Sequence, residues 1–125
     1  MVSVIIPTLN AALTLPETLA ALVPAAVEGF VREVIVCDGG SEDGTARIAD
    51  AAGVEFITAP RGRGSQLKVG AACAKHPWLL FLHADTVLGE GWTRDAGAAE
   101  AAPTEAGGGR RGFISGLVDR IRGSE

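Results

Sequence analysis

The sequence predicts an α/β fold, a parallel sheet with helices covering both faces. Three observations lead there. Short apolar runs alternate with helical stretches over residues 2–92, and such alternation builds right-handed strand–helix–strand crossovers. The strand runs are nearly continuous in apolar residues, as strands buried on both faces require. The polar and glycine-rich residues gather just after the strands, where sheets of this class bind ligands.

Each element has its own warrant. Val2–Ile6 is a β-branched run closed by Pro7. Thr14-Leu15-Pro16-Glu17 matches a capping box, with Thr14 as cap and Glu17 reaching back to the cap amide. Pro16 suits the first turn, whose amides lack helical partners. Leu15, Leu19, Leu22 and Val23 form one apolar helical stripe. Glu33–Cys37 is the second strand, Thr45–Ala52 a helix stopped by Gly53, and Val54–Thr58 the third strand. Gln66–Lys75 reads as the third helix, His76-Pro77 as a break and Trp78–Leu82 as the fourth strand.

The 125 residues suffice for one domain with one core. A net charge of -4 argues against a general affinity for nucleic acid or an anionic membrane. No apolar run approaches membrane-spanning length, and Met1 leads straight into a strand with no signal-like segment, so a cytoplasmic protein is expected. Cys37 and Cys73, far apart in apolar contexts, read as two buried free thiols.

Four segments follow the four strands. Pro7-Thr8-Leu9-Asn10 follows the first, and Asp38-Gly39-Gly40-Ser41 the second. Glycines after Asp38 let the backbone turn sharply and approach a ligand, although Ser41 or Asp43 could equally serve as an ordinary helix cap. Arg61-Gly62-Arg63-Gly64 combines guanidinium with flexible backbone, a pairing suited to phosphate or simply to a solvated loop. His83-Ala84-Asp85 ends the fourth strand. Asp85 is either a ligand for magnesium or manganese, which prefer oxygen donors, or a cap for the next turn. His83 is a second ligand, a phosphate donor or a satisfied rim histidine.

Taken together, "SVIIPTLN", "EVIVCDGGSEDGT", "APRGRGSQ", "GAACA" and "LLFLHADT" resemble the nucleotide-binding half of the family 2 glycosyltransferases of GT-A fold. The likeness is nearest to a bacterial subgroup with "DGGS" and "HAD" in these places. It covers about residues 2–92 and rests on the order and spacing of the motifs. The resemblance implies a Rossmann-like GT-A sheet that binds a nucleoside-diphosphate sugar donor with Mg2+ or Mn2+ and passes the sugar to an acceptor the sequence does not identify. It implies that Pro7, Thr8, Asn10 and Asp38 line the nucleoside pocket, with Gly39 also in the nucleotide-sugar site. Arg63 and Gln66 would lie near ribose or diphosphate, and Asp85, with His83, would hold the metal.

There are departures. His83 stands where the wider family has the first acidic residue of its DxD motif, Ala11 where an acidic residue is common, and Gly39 where a second aspartate is frequent. No counterpart of the general base is found, so the acceptor half is expected to be missing. On this reading residues 1–92 form the donor-binding domain, 93–112 a low-complexity linker and 113–125 a short amphipathic helical tail. Phe113, Leu117, Val118 and Ile121 of that tail are expected to dock on the domain or to mediate self-association. Two other readings are a nucleotide-binding remnant without turnover and a sugar-phosphate nucleotidyltransferase. The latter needs a basic, glycine-rich loop after the first strand, and "PTLNAALT" supplies none.

Overall fold

The computed structural model describes residues 2–76, 78–84 and 112–113. Strand β1 (Val2–Thr8), helix α1 (Leu15–Val27), β2 (Val31–Asp38), α2 (Thr45–Ala52), β3 (Glu55–Thr58), α3 (Arg63–Cys73) and β4 (Trp78–Phe81) follow in the expected order. A two-residue strand, β5 (Gly112–Phe113), completes a sheet of order β3-β2-β1-β4-β5. All four strand pairings are parallel.

Alternation along β1 decides which helix covers which face. Val2, Val4 and Ile6 point toward α1 and α2, where they pack with Leu15, Leu19, Leu22, Val36 and Ala49. Ile5 points the other way and packs with Ile35, Leu79 and Leu67 on the α3 side. Gly70 makes that second layer thin, because a Cβ there would lie 2.5 Å from Ile5 Cγ2. The apolar strand runs are therefore covered on both faces, as their composition requires.

Several boundaries differ from expectation for physical reasons. β1 continues through Pro7 to Thr8. Ile5 O accepts from Leu82 N toward β4, whereas Thr8 O accepts from Gly39 N toward β2. The alternation sends the missing Pro7 donor toward β4, beyond the last β1–β4 pair, Ile5 with Phe81, so no ladder bond is lost. The capping box does not form: Thr14 makes no side-chain cap bond, and Ala11 O closes the first turn by accepting from Thr14 N and Leu15 N. Val23 leaves the stripe at 56% exposure, while Thr18 and Ala25 are buried in it. α3 begins at Arg63, three residues before Gln66.

Gly53, at φ 75°, ends α2 as expected. Both cysteines are free, but only Cys37 is buried and Cys73 is exposed. Burial pushes the Cys37 thiol up, consistent with an inert core residue. Phe113 pairs with Leu79 as a strand residue instead of starting a helix. The linker expected over 93–112 lies outside the described residues except for Gly112, and the tail lies outside them beyond Phe113.

Candidate functional site

The strand order reverses at β1. From β1 the chain moves to β2 and then β3 on one side, and α3 carries it back to β4 on the other. A crevice outside the carboxyl ends of the strands is expected at such a switch point. The described residues of the four segments singled out above lie at these strand ends.

The site has a buried tier. Asp38 is 3% exposed at the end of β2. Its Oδ1 accepts from Thr8 Oγ1 at 2.7 Å and from the Ser41 hydroxyl. Its Oδ2 accepts from the amides of Gly40 at 2.9 Å and Ser41 at 2.7 Å. A carboxylate offers about four acceptor positions, so Asp38 is fully engaged. Burial alone would raise its pKa, but the bonds from Ser41, Thr8 and Gly40 outweigh that and hold the carboxyl below the usual range. Gln66, 4% exposed, lies beside it. Gln66 Nε2 donates to Thr8 O and to Cys37 O, each at 2.9 Å, and Oε1 accepts from Gly62 N at 3.1 Å. A Cβ on Gly39 would come within 2.7 Å of that Oε1.

Above this tier the loops after β1 and β2 are stitched together. Asn10, at φ 53°, turns the β1 loop back. Its backbone N donates to Ser41 Oγ at 2.7 Å, and its Oδ1 accepts from Glu42 N at 2.8 Å. Ala11 N donates to Thr45 Oγ1 and Ala12 N to Asp43 Oδ2, both at 3.0 Å. Asp43 also accepts from Thr45 N at 3.0 Å, which secures the start of α2. The Thr45 hydroxyl bond is the largest influence holding the Asp43 carboxyl below its ordinary value.

The outer tier is basic. Arg63, exposed on the first turn of α3, reaches across the switch point to His83 beyond β4. Its Nη2 lies 3.1 Å from His83 Nδ1 and also contacts Nε2. Arg61 Nε reaches Gly39 O at 3.5 Å. Two guanidinium groups and an imidazole therefore stand at the strand ends near the Gly39–Gly40 turn, an arrangement suited to an anion.

The structure thus divides the expected site residues. Thr8, Asp38, Gly39 and Gln66 are buried, whereas Asn10 and Arg63 are exposed and Pro7 and His83 half-buried. Asp85 lies outside the described residues. Among the described residues no group of three or more His, Cys, Asp or Glu side chains could hold a metal. Asp38 is already engaged by hydrogen bonds, and His83 lies against Arg63.

Sequence reasoning missed Thr18. This residue is 1% exposed within the α1 stripe, and its Oγ1 donates to Ala84 O at 2.8 Å. It holds the carbonyl between His83 and Asp85. The available signal was a hydroxyl at an apolar stripe position, where a buried polar group needs a partner.

The comparisons agree with this geometry. The family model described as glycosyl transferase family 2 matches residues 3–116. Glucosyl-3-phosphoglycerate synthase from Mycobacterium tuberculosis, solved with Mn2+, UDP and glucosyl-3-phosphoglycerate, is 26% identical with a TM-score of 0.67, over 75% of this chain and 37% of that one. The same synthase with Mg2+ and UDP is 28% identical with a TM-score of 0.62, over 67% and 33%. A mycobacterial protein is also 28% identical, with a TM-score of 0.63 over 70% and 32%. The chain thus spans 37% of the first synthase structure's length. No curated protein matches. Among the described residues no helix is long and apolar enough to cross a membrane. Fold, switch-point crevice and family model agree: the chain belongs to glycosyl transferase family 2.

Proposed function

We propose that this domain binds a nucleoside-diphosphate sugar at the carboxyl ends of β1, β2 and β4, and serves as the donor side of a glycosyltransferase. The observation that carries the reading is the meeting of Arg63 and His83 across the switch point, over loops already fixed by internal hydrogen bonds. The diphosphate would lie against Arg63 and His83, and the nucleoside near Pro7 and Asn10. UDP is the proposed nucleotide, because similar synthase structures hold UDP.

Those structures also hold Mn2+ or Mg2+. For this chain the proposed metal ligand is Asp85, with His83 beside it. Asp85 and His83 would hold the ion, which would supply positive charge to offset that of a diphosphate. Arg63 has its own part, since a fixed guanidinium stabilises negative charge growing on a leaving diphosphate.

A second reading, donor binding without transfer, is favoured by one observation. Asp38 and Asp43, the aspartates after β2, are both held by hydroxyls and amides, so neither is poised as a general base. Calorimetry with UDP-, GDP- and dTDP-sugars, with and without manganese, tests the main reading. Manganese-dependent binding of a UDP-sugar is expected. Absence of nucleotide binding at millimolar concentration in either condition would overturn it. Release of free sugar from a bound donor, measured alongside, separates a catalytic domain from a binding one.

A further inference from the structure

We infer that Gln66 is a positioning residue that never touches the donor: it fastens the ends of β1 and β2 to the arginine loop, and so sets Arg63 against the Asp38 turn. The inference rests on the donor-site reading above but assigns Gln66 a different place from the ribose or diphosphate contact that the sequence suggests.

Both donors and one acceptor position of this side chain are committed. Nε2 carries two protons, and both have backbone acceptors, Thr8 O and Cys37 O, each at 2.9 Å. Thr8 O already accepts from Gly39 N at 3.0 Å, so Gln66 fills its second lone pair. Oε1 accepts from Gly62 N, the residue immediately before α3. With 4% exposure, no part of the amide is left to read a ligand.

Only a primary amide places two donors on one atom and an acceptor on its neighbour. Glutamate lacks the donors when ionised, and arginine or lysine lacks the acceptor. The three bonds tie the Gly62 amide to the paired ends of β1 and β2. They also explain the second residue of the "DGGS" turn. Gly39 lies directly against Gln66, and a Cβ there would stand 2.7 Å from Oε1 and 3.3 Å from Arg61 Cα. The turn after β2 and the loop before α3 are therefore one mechanical unit. Arg63, the first residue of α3, follows the Gly62 amide that Gln66 holds.

The test uses the whole chain, wild type and the variants Gln66→Met and Gln66→Glu. Amide exchange is read at Gly39, Gly40, Ser41 and Gly62, with Val4 and Ile35 as core references, and UDP affinity is read by calorimetry. Gln66→Met should accelerate exchange at the four loop amides by about tenfold or more, leave the core amides unchanged, and weaken UDP by roughly tenfold.

Gln66→Glu adds a pH signature. Its carboxylate would face two carbonyls, so its folded pKa lies above the unfolded value of about 4.3. The neutral acid regains one donor. Loop protection should therefore be nearest wild type below that pH and be lost as pH rises through the folded pKa. The wild-type amide does not titrate. If Gln66→Met fails to fold, the pH dependence of Gln66→Glu decides alone.

Unchanged loop exchange in both variants, or weaker UDP binding with unchanged exchange, would overturn the inference in favour of direct contact. Wild-type protein that binds no UDP would overturn the donor reading, while the exchange measurements would still decide the role of Gln66.

Discussion

Replacing Gly39 by alanine isolates one atom. The new Cβ would lie 2.7 Å from Gln66 Oε1, 3.0 Å from Gln66 Cδ and 3.3 Å from Arg61 Cα. Gly39 is not among the residues with positive φ, so alanine meets no backbone strain and gains about 0.4–1 kcal/mol from a less flexible unfolded chain. Against that, overpacking costs typically 1–3 kcal/mol. Gln66 cannot swing aside cheaply, because three hydrogen bonds hold it, each worth about 0.5–1.5 kcal/mol. A net loss of about 1–2 kcal/mol is expected. Urea unfolding followed by fluorescence should show a lower midpoint at constant slope. The decisive comparison is the cycle with Gln66→Ala. Removing the obstructing amide should make the two losses sub-additive by about 1 kcal/mol, as coupled neighbours behave. A Gly39→Ala protein as stable as wild type, or strict additivity in the cycle, would refute the packing argument.

Three further outcomes are expected. Asp38 has a depressed folded pKa, so its contribution to stability is present above the unfolded value of about 3.9 and is lost as pH falls through the lower folded value; urea midpoints between about pH 5 and 2 should fall more steeply for wild type than for Asp38→Asn. Arg63→Ala should weaken UDP more than uridine, by about tenfold or more for a charge-assisted contact of roughly 1.5–3 kcal/mol, and equal losses in calorimetry would make Arg63 structural. Asp85→Asn should abolish manganese-dependent UDP binding, and His83→Ala should reduce it less, because a carboxylate is the better ligand for a hard ion; the reverse ranking in metal titrations would move the centre of the metal site to His83.

Strand and helix order was legible because apolar periodicity and glycine stops are local signals. The α2 stop at Gly53 needs only its own φ. The misjudged boundaries depended on distant partners. Pro7 stays in β1 because β4 has already ended, and no local pattern reports that. The Thr14 capping box has the right residues, but Ala11 O performs the closure. Cys73 has apolar neighbours in sequence yet falls on the outer side of α3.

At the candidate site, the sequence singled out positions that the fold brings to one end of the sheet, without separating buried from exposed ones. Asp38, Gln66, Arg63 and His83 all belong to motifs that converge on one crevice. What separates them is the number of hydrogen-bonding positions left unfilled. Asp38 has its four acceptor positions occupied, and Gln66 has both donors and an acceptor occupied. Arg63 contacts the His83 imidazole through Nη2 and is itself exposed, so an incoming anion can reach it. Polar backbone that emerges from a sheet must be paired. Asp38 and Gln66 meet that demand from within the fold. On the proposed reading a donor would meet the outer tier, where a change of residue should alter binding before it alters stability. The inner tier behaves in the opposite way, and that contrast is what the Gly39 and Arg63 substitutions measure from its two sides.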